Sequence, residues 1–137
     1  MALFYADSSA LVKLVRDEPE SDALRSYFEG AGLLSCELVL AELPRAVRRF
    51  AAVDPTLRHQ ALLSRAGELL DAIGLIALER ELLIAAGTLA EPAQRTLDAI
   101  HIAAATGVVG VDAFVTYDER QAAAARLAGL RTVAPGA

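Results

Sequence analysis

The sequence predicts an α/β fold, an α/β/α sandwich with a central, mostly parallel sheet of four to five strands. Three observations carry that expectation. Short apolar runs recur along the 137 residues, each separated from the next by one or two helical segments, as parallel pairing requires. The chain is 55% hydrophobic but only 5% aromatic and has no Trp, which excludes disorder and calls for an aliphatic core. No linker, repeat or charge run divides it, so residues 1–137 are expected to form a single domain.

The elements follow in order. Ala2 to Ala6 reads as a strand, and Ser8 or Ser9 can cap a helix to about Arg16. Pro19 opens a second helix through Tyr27, which Gly30 and Gly32 stop. Leu33 to Ser35 is a second strand. From Cys36 to about Ala52 the pattern is helical, with Leu40, Leu43, Val47 and Phe50 on one face. Pro44 lies inside that helix and removes the N–H that would bond to Leu40, so a kink is expected. Asp54-Pro55 marks a turn before a helix to about Ala72, with Leu62, Leu69 and Ile73 inward. Leu75 to Leu78 is a third strand and Glu81 to Leu89 a helix, broken by Glu91-Pro92. Thr96 caps a helix from Leu97 to Thr106. Ala113 to Tyr117 is a fourth strand, Glu119 to Leu127 a helix, and Thr132 to Ala134 a short last strand.

Bulk properties narrow the function. With 13 basic and 18 acidic residues, the formal charge of −5 argues against nucleic-acid binding by overall electrostatics. That total misleads only if several acids gather around metal ions. The longest weakly charged stretch, Ala99 to Tyr117, contains His101, Asp112 and glycines, which argues against a membrane span. No Lys or Arg precedes the first apolar run, so a signal peptide is not expected. A single cysteine, Cys36, cannot form an internal disulfide and suits a reducing cytoplasm.

Four acids stand out. In open parallel sheets, ligands sit outside the carboxyl ends of the strands. Asp7 follows the first strand and Asp118 the fourth. Asp98 lies in a first helical turn, where the helix dipole favours a carboxylate, and Glu42 lies on the helix after the second strand. Each has a plain reading: Asp7, Asp98 and Asp118 as helix-terminal acids, Glu42 as a solvated side chain. Yet "YADSSAL", "LAEL" and "LDAIHIA" set acids among apolar or small residues with no Lys or Arg between them. Converging carboxylates repel by about 4 kcal/mol per pair at close range and an effective dielectric of about 20. Divalent cations would relieve this, and oxygen-only ligands select Mg²⁺ or Mn²⁺ over Zn²⁺.

The motifs "YADSSALVKL", "SCELVLAELPRA", "TLDAIHIAAA" and "FVTYDERQAAAARLAGL" resemble, in order and spacing, those of the PIN-domain family. They are most similar to its VapC-type ribonuclease toxins. The resemblance implies a Mg²⁺- or Mn²⁺-dependent endoribonuclease in which Asp7, Glu42, Asp98 and Asp118 are catalytic and hold one or two ions. It also implies an RNA substrate, a cognate antitoxin that blocks the acidic site, and a homodimer; no membrane partner is expected, from the interrupted Ala99 to Tyr117 stretch. Ser9 matches a small hydroxyl position beside the first acid. Thr116 matches a Ser, Thr or Asp position whose hydroxyl would orient water or phosphate; a fifth acid is thus missing. Pro44 is less usual for the family.

His101 reads as a general base or as a structural histidine, and His59 as a surface residue. Arg45, Arg48 and Arg49 share one side of a helix and suit either RNA phosphates or plain solvation. Two rivals remain. A haloacid-dehalogenase-type phosphatase would also place an Asp after its first strand, but it wants a second Asp where Ser9 stands. A PIN-like module without catalysis would serve as a binding domain.

Overall fold

The computed structural model describes residues 1–137. Five strands, β1 (Leu3–Ala6), β2 (Gly32–Cys36), β3 (Gly74–Ile76), β4 (Ala113–Val115) and β5 (Thr132–Val133), form one sheet in the order β3-β2-β1-β4-β5. Every neighbouring pair is parallel. The chain winds outward from β1 through β2 to β3, then returns to the other side of β1 with β4. The connections therefore reverse between β1 and β4, and a cleft opens beyond their carboxyl ends.

Seven helices cover the sheet: α1 (Ser8–Val15), α2 (Ser21–Phe28), α3 (Val39–Val53), α4 (His59–Ala72), α5 (Arg80–Gly87), α6 (Thr96–Thr106) and α7 (Glu119–Leu127). Strand alternation divides the core in two. Phe4, Ala6, Ala113 and Val115 pack with Leu11, Leu43, Val47 and Leu62 from α1, α3 and α4. Tyr5 and Phe114 point the other way, into the α6 and α7 layer with Ile102 and Ala125. Their rings stack with centroids 5.3 Å apart.

The expected α/β layering is present, with all five strands parallel. Several local expectations change. Asp7, not Ser8 or Ser9, caps α1, because β1 ends at Ala6 and Ser8 is already helical. Thr96 does not cap α6; it is the first helical residue, after Arg95. Helix α3 starts at Val39, so Glu42 lies in its first turn, and Leu40 is half exposed while Val39 and Ala46 turn inward instead. Pro44 falls within α3, which runs on through it to Val53. Asp54 does make a turn, accepting from the Thr56 N–H at 3.0 Å, but α4 begins only at His59. No helix is long and apolar enough to cross a membrane.

Phe114 is fully buried at the centre of the sheet. Phe114→Ala is expected to cost about 3–5 kcal/mol, read by urea unfolding.

Candidate active site

The polypeptide leaves β1 at Ala6, and the Asp7 N–H still bonds to the Val115 carbonyl at 3.3 Å. That last ladder bond places Asp7 in the cleft between β1 and β4, only 4% exposed. Its Oδ1 accepts from the Ala10 N–H at 3.2 Å and from the Ser9 hydroxyl at 2.6 Å. Its Oδ2 accepts from the Thr116 hydroxyl at 2.6 Å. The two hydroxyls are themselves fixed, Ser9 Oγ accepting from the Tyr117 N–H at 3.0 Å and Thr116 Oγ1 from the Asp118 N–H at 3.1 Å. Thr116 is therefore committed to Asp7 and to its own loop, and is buried, rather than turned out to water or phosphate. Burial pushes the Asp7 pKa above the usual carboxylate range, against the pull of Ser9, Thr116, His101 and the Ala10 N–H.

Asp118 lies three residues beyond β4 and caps α7, accepting from the Arg120 and Gln121 N–H groups at 2.9 and 3.2 Å. Asp98, in the first turn of α6, faces it across a cavity of about 350 Å³ that both line. The Asp98 pKa is raised by partial burial and by the Asp118 charge, with Glu42 adding to it and Arg95 and His101 opposing it. Arg95, on the rim, comes within 3.9 Å of Asp98.

Glu42 reaches the site from the other flank, where its Oε1 lies 2.7 Å from His101 Nε2. His101 is one turn after Asp98 on α6 and is buried, with Nδ1 2.7 Å from the Tyr5 hydroxyl and 3.7 Å from Cys36 Sγ. Burial opposes charge on the ring, but Cys36 and Glu42 outweigh it and push the His101 pKa up to about 10. That raised pKa favours the charged form of a ring set directly beside Glu42.

The four acids share one edge of the sheet, but they do not close on a point. No three His, Cys, Asp or Glu side chains are grouped tightly enough to enclose an ion. The rim consists of Asp7 joined to the Asp118 loop through Thr116, Asp98 opposite Asp118, and Glu42 tied to His101. Arg45, Arg48 and Arg49 are exposed and form no ion pair. His59 is partly buried.

Two residues with a role here were missed in the sequence. Tyr5 holds His101, and Gln121, buried on α7, donates to the Asp98 carbonyl at 3.0 Å while accepting from Gln94. The signal for Tyr5 was present: a tyrosine inside a buried strand must find a partner for its hydroxyl. Gln121 gave no comparable signal, because "ERQAAAARL" reads as an ordinary amphipathic helix.

The model of the PIN domain matches residues 4–127, nearly the whole of this framework. The chain belongs to the PIN-domain family. Ribonuclease VapC47 of Mycobacterium tuberculosis is 36% identical over 141 residues, covering 98% of both chains. Ribonuclease VapC46 of the same species is 40% identical over 138 residues, covering 98% of this chain and 99% of that one. Among solved structures, VapBC2 from Rickettsia felis, bound to a DNA fragment from its promoter, superposes with a TM-score of 0.71 at 14% identity, covering 97% of this chain and 98% of that one. PAE2754 from Pyrobaculum aerophilum gives 0.65 at 19% identity, covering 96% and 84%. At those identities the two structures speak for the shared PIN fold.

The donor chemistry of this PIN site fits a hard divalent cation: the acids supply only oxygen, and Asp98, raised by burial and then by the Asp118 charge, is held where a positive charge would favour its ionised form. Without metal, an ionised Asp7 costs stability. That cost is present above its raised folded-state pKa and absent below the ordinary carboxylate value, so it fades as pH falls through the interval between them. Asp7→Asn is therefore expected to stabilise the protein in EDTA by about 1 kcal/mol near pH 7, against the usual destabilising tendency of substitutions. The advantage should shrink as urea unfolding is repeated at progressively lower pH.

Proposed function

We propose that residues 1–137 act as one PIN-like nuclease domain, a cytoplasmic, metal-dependent endoribonuclease that is the toxin of a toxin–antitoxin pair. The observation that carries this reading is the set Asp7, Glu42, Asp98 and Asp118 brought to the carboxyl edge of the sheet, at the reversal between β1 and β4. The ribonuclease relatives and the VapBC2 neighbour support it. The four acids would hold Mg²⁺ or Mn²⁺. When bound, such an ion activates water and neutralises charge on the attacked phosphate.

The chain's own residues prepare that chemistry. Ser9, Thr116 and the α1 N-terminus hold the Asp7 carboxylate in one orientation. Gln121 ties α7 to the α6 backbone at Asp98, which keeps Asp98 opposite Asp118. Arg45, Arg48 and Arg49, exposed on the helix that carries Glu42, would take phosphates of the RNA beyond the cleavage site. The PIN-domain match leaves the phosphatase reading without support.

Mn²⁺ should raise the melting temperature of the wild-type protein by binding the folded state, and Asp98→Asn should weaken that response. RNA cleavage should require Mg²⁺ or Mn²⁺ and fall by about 100-fold or more in Asp7→Asn. Metal-independent melting together with no cleavage of any RNA would leave only a binding module.

Two partners belong to the same reading, a cognate antitoxin and a second copy of the chain. Leu83 and Ile84 on α5 remain about half exposed, an apolar surface that suits a homodimer. Light scattering at micromolar concentration should give the mass of a dimer; a clean monomer refutes it.

A further inference from the structure

Tyr5 and His101 have almost no exposure, yet each carries polar atoms that packing alone does not require. Their placement follows from the fold. Strand alternation turns Tyr5 away from the α1 and α3 side toward α6, where its ring meets His101 edge-on, with centroids 5.9 Å apart at 74°. The hydroxyl then lies 2.7 Å from Nδ1, and on the far side of the imidazole Nε2 lies 2.7 Å from Glu42 Oε1.

A carboxylate oxygen accepts but cannot donate, so Nε2 must carry the proton that joins it to Glu42. Nδ1 and the phenol can share the second bond in either sense, the phenol donating to a neutral ring or a charged ring donating to the phenol oxygen. In both cases the imidazole is held at its two ends and the bond to Glu42 is the same. Cys36 Sγ at 3.7 Å from Nδ1 packs against the same end of the ring.

Glu42 needs such a hold. Its side chain is 20% exposed, has three rotatable bonds and begins in the first turn of α3, a different element from those carrying the other three acids. Only Oε1 is engaged by the protein, which leaves Oε2 directed by the same bond and free of protein partners. We propose that Tyr5 and His101 form a buried positioning arm that fixes the Glu42 carboxylate for the divalent cation. This inference rests on the nuclease reading above. Both are positioning residues, since neither reaches the cleft.

Three variants test it. His101→Leu removes the donor, His101→Gln keeps an N–H that can reach Glu42, and Tyr5→Phe deletes only the hydroxyl. Loss of an outer hydrogen-bond partner typically costs 10–100-fold in metal affinity or activity. His101→Leu is expected to weaken Mn²⁺ binding about tenfold by calorimetry and to lower kcat on RNA with KM unchanged. Tyr5→Phe should do the same about threefold, and His101→Gln should recover most of the loss. The ¹⁵N imidazole spectrum of the metal-free protein gives a readout independent of activity. The His101 Nε2–H resonance should move in Glu42→Gln and in Tyr5→Phe.

An Nε2–H resonance that ignores Glu42→Gln overturns the arm while leaving the nuclease reading intact. Wild-type Mn²⁺ affinity and kcat in both His101→Leu and Tyr5→Phe do likewise. If His101→Leu does not fold, Tyr5→Phe and the resonance decide. A resonance that responds as expected in a protein that binds no Mn²⁺ overturns the nuclease reading instead.

Discussion

An ionised carboxylate at the end of a buried strand has to be surrounded by donors, and the structure around the cleft is arranged to supply them to Asp7. One comes from the N-terminus of α1, one from Ser9 and one from Thr116 on the far side of the β1–β4 seam. That last bond matters most, because it crosses 109 residues of sequence to join the first strand to the fourth. It exists only because the chain returns to the opposite side of β1 after building β2 and β3. The same reversal opens the cleft. The helix cap, the sheet seam and the candidate site are thus one arrangement.

Electrostatics then sets what the cleft can be. Hydrogen bonds to Asp7 favour its charge but do not outweigh burial, and Asp98 is pressed further by Asp118 and Glu42. A purely structural cluster would be expected to shed such charge. Here the only buried compensation is His101, and its ring is turned to Glu42 rather than to the Asp98–Asp118 pair. The pair faces an open cavity with Arg95 and Arg120 at its margin. Perturbed carboxylates of this kind, gathered beside a cleft, mark it as the candidate functional site of the fold.

Much of this architecture was legible in the sequence because it follows from short-range rules. Short apolar runs between helical segments marked every strand, and the predicted helix from Glu119 to Leu127 coincides with α7. The acids were legible because they stood in apolar surroundings. Errors arose where two local solutions competed. Ser8 and Ser9 are good caps, but Asp7 is equally good and lies where the strand ends. Leu40 fits the helical stripe only if α3 begins near Cys36; that residue instead belongs to β2, whose pairing with β3 carries it to Ile76. The role of Thr116 was invisible for a different reason. Its hydroxyl is directed by a contact across the sheet, which no window of sequence contains.

The central claim is that these four acids hold a divalent cation at the edge between β1 and β4. The most direct measurement is anomalous diffraction from crystals soaked in Mn²⁺. The account predicts a peak at about 2.0–2.2 Å from carboxylate oxygens that include Asp7, lost in Asp7→Asn crystals of the same form. A well-ordered cleft with no peak at high Mn²⁺ concentration, or a peak away from these carboxylates, would contradict it.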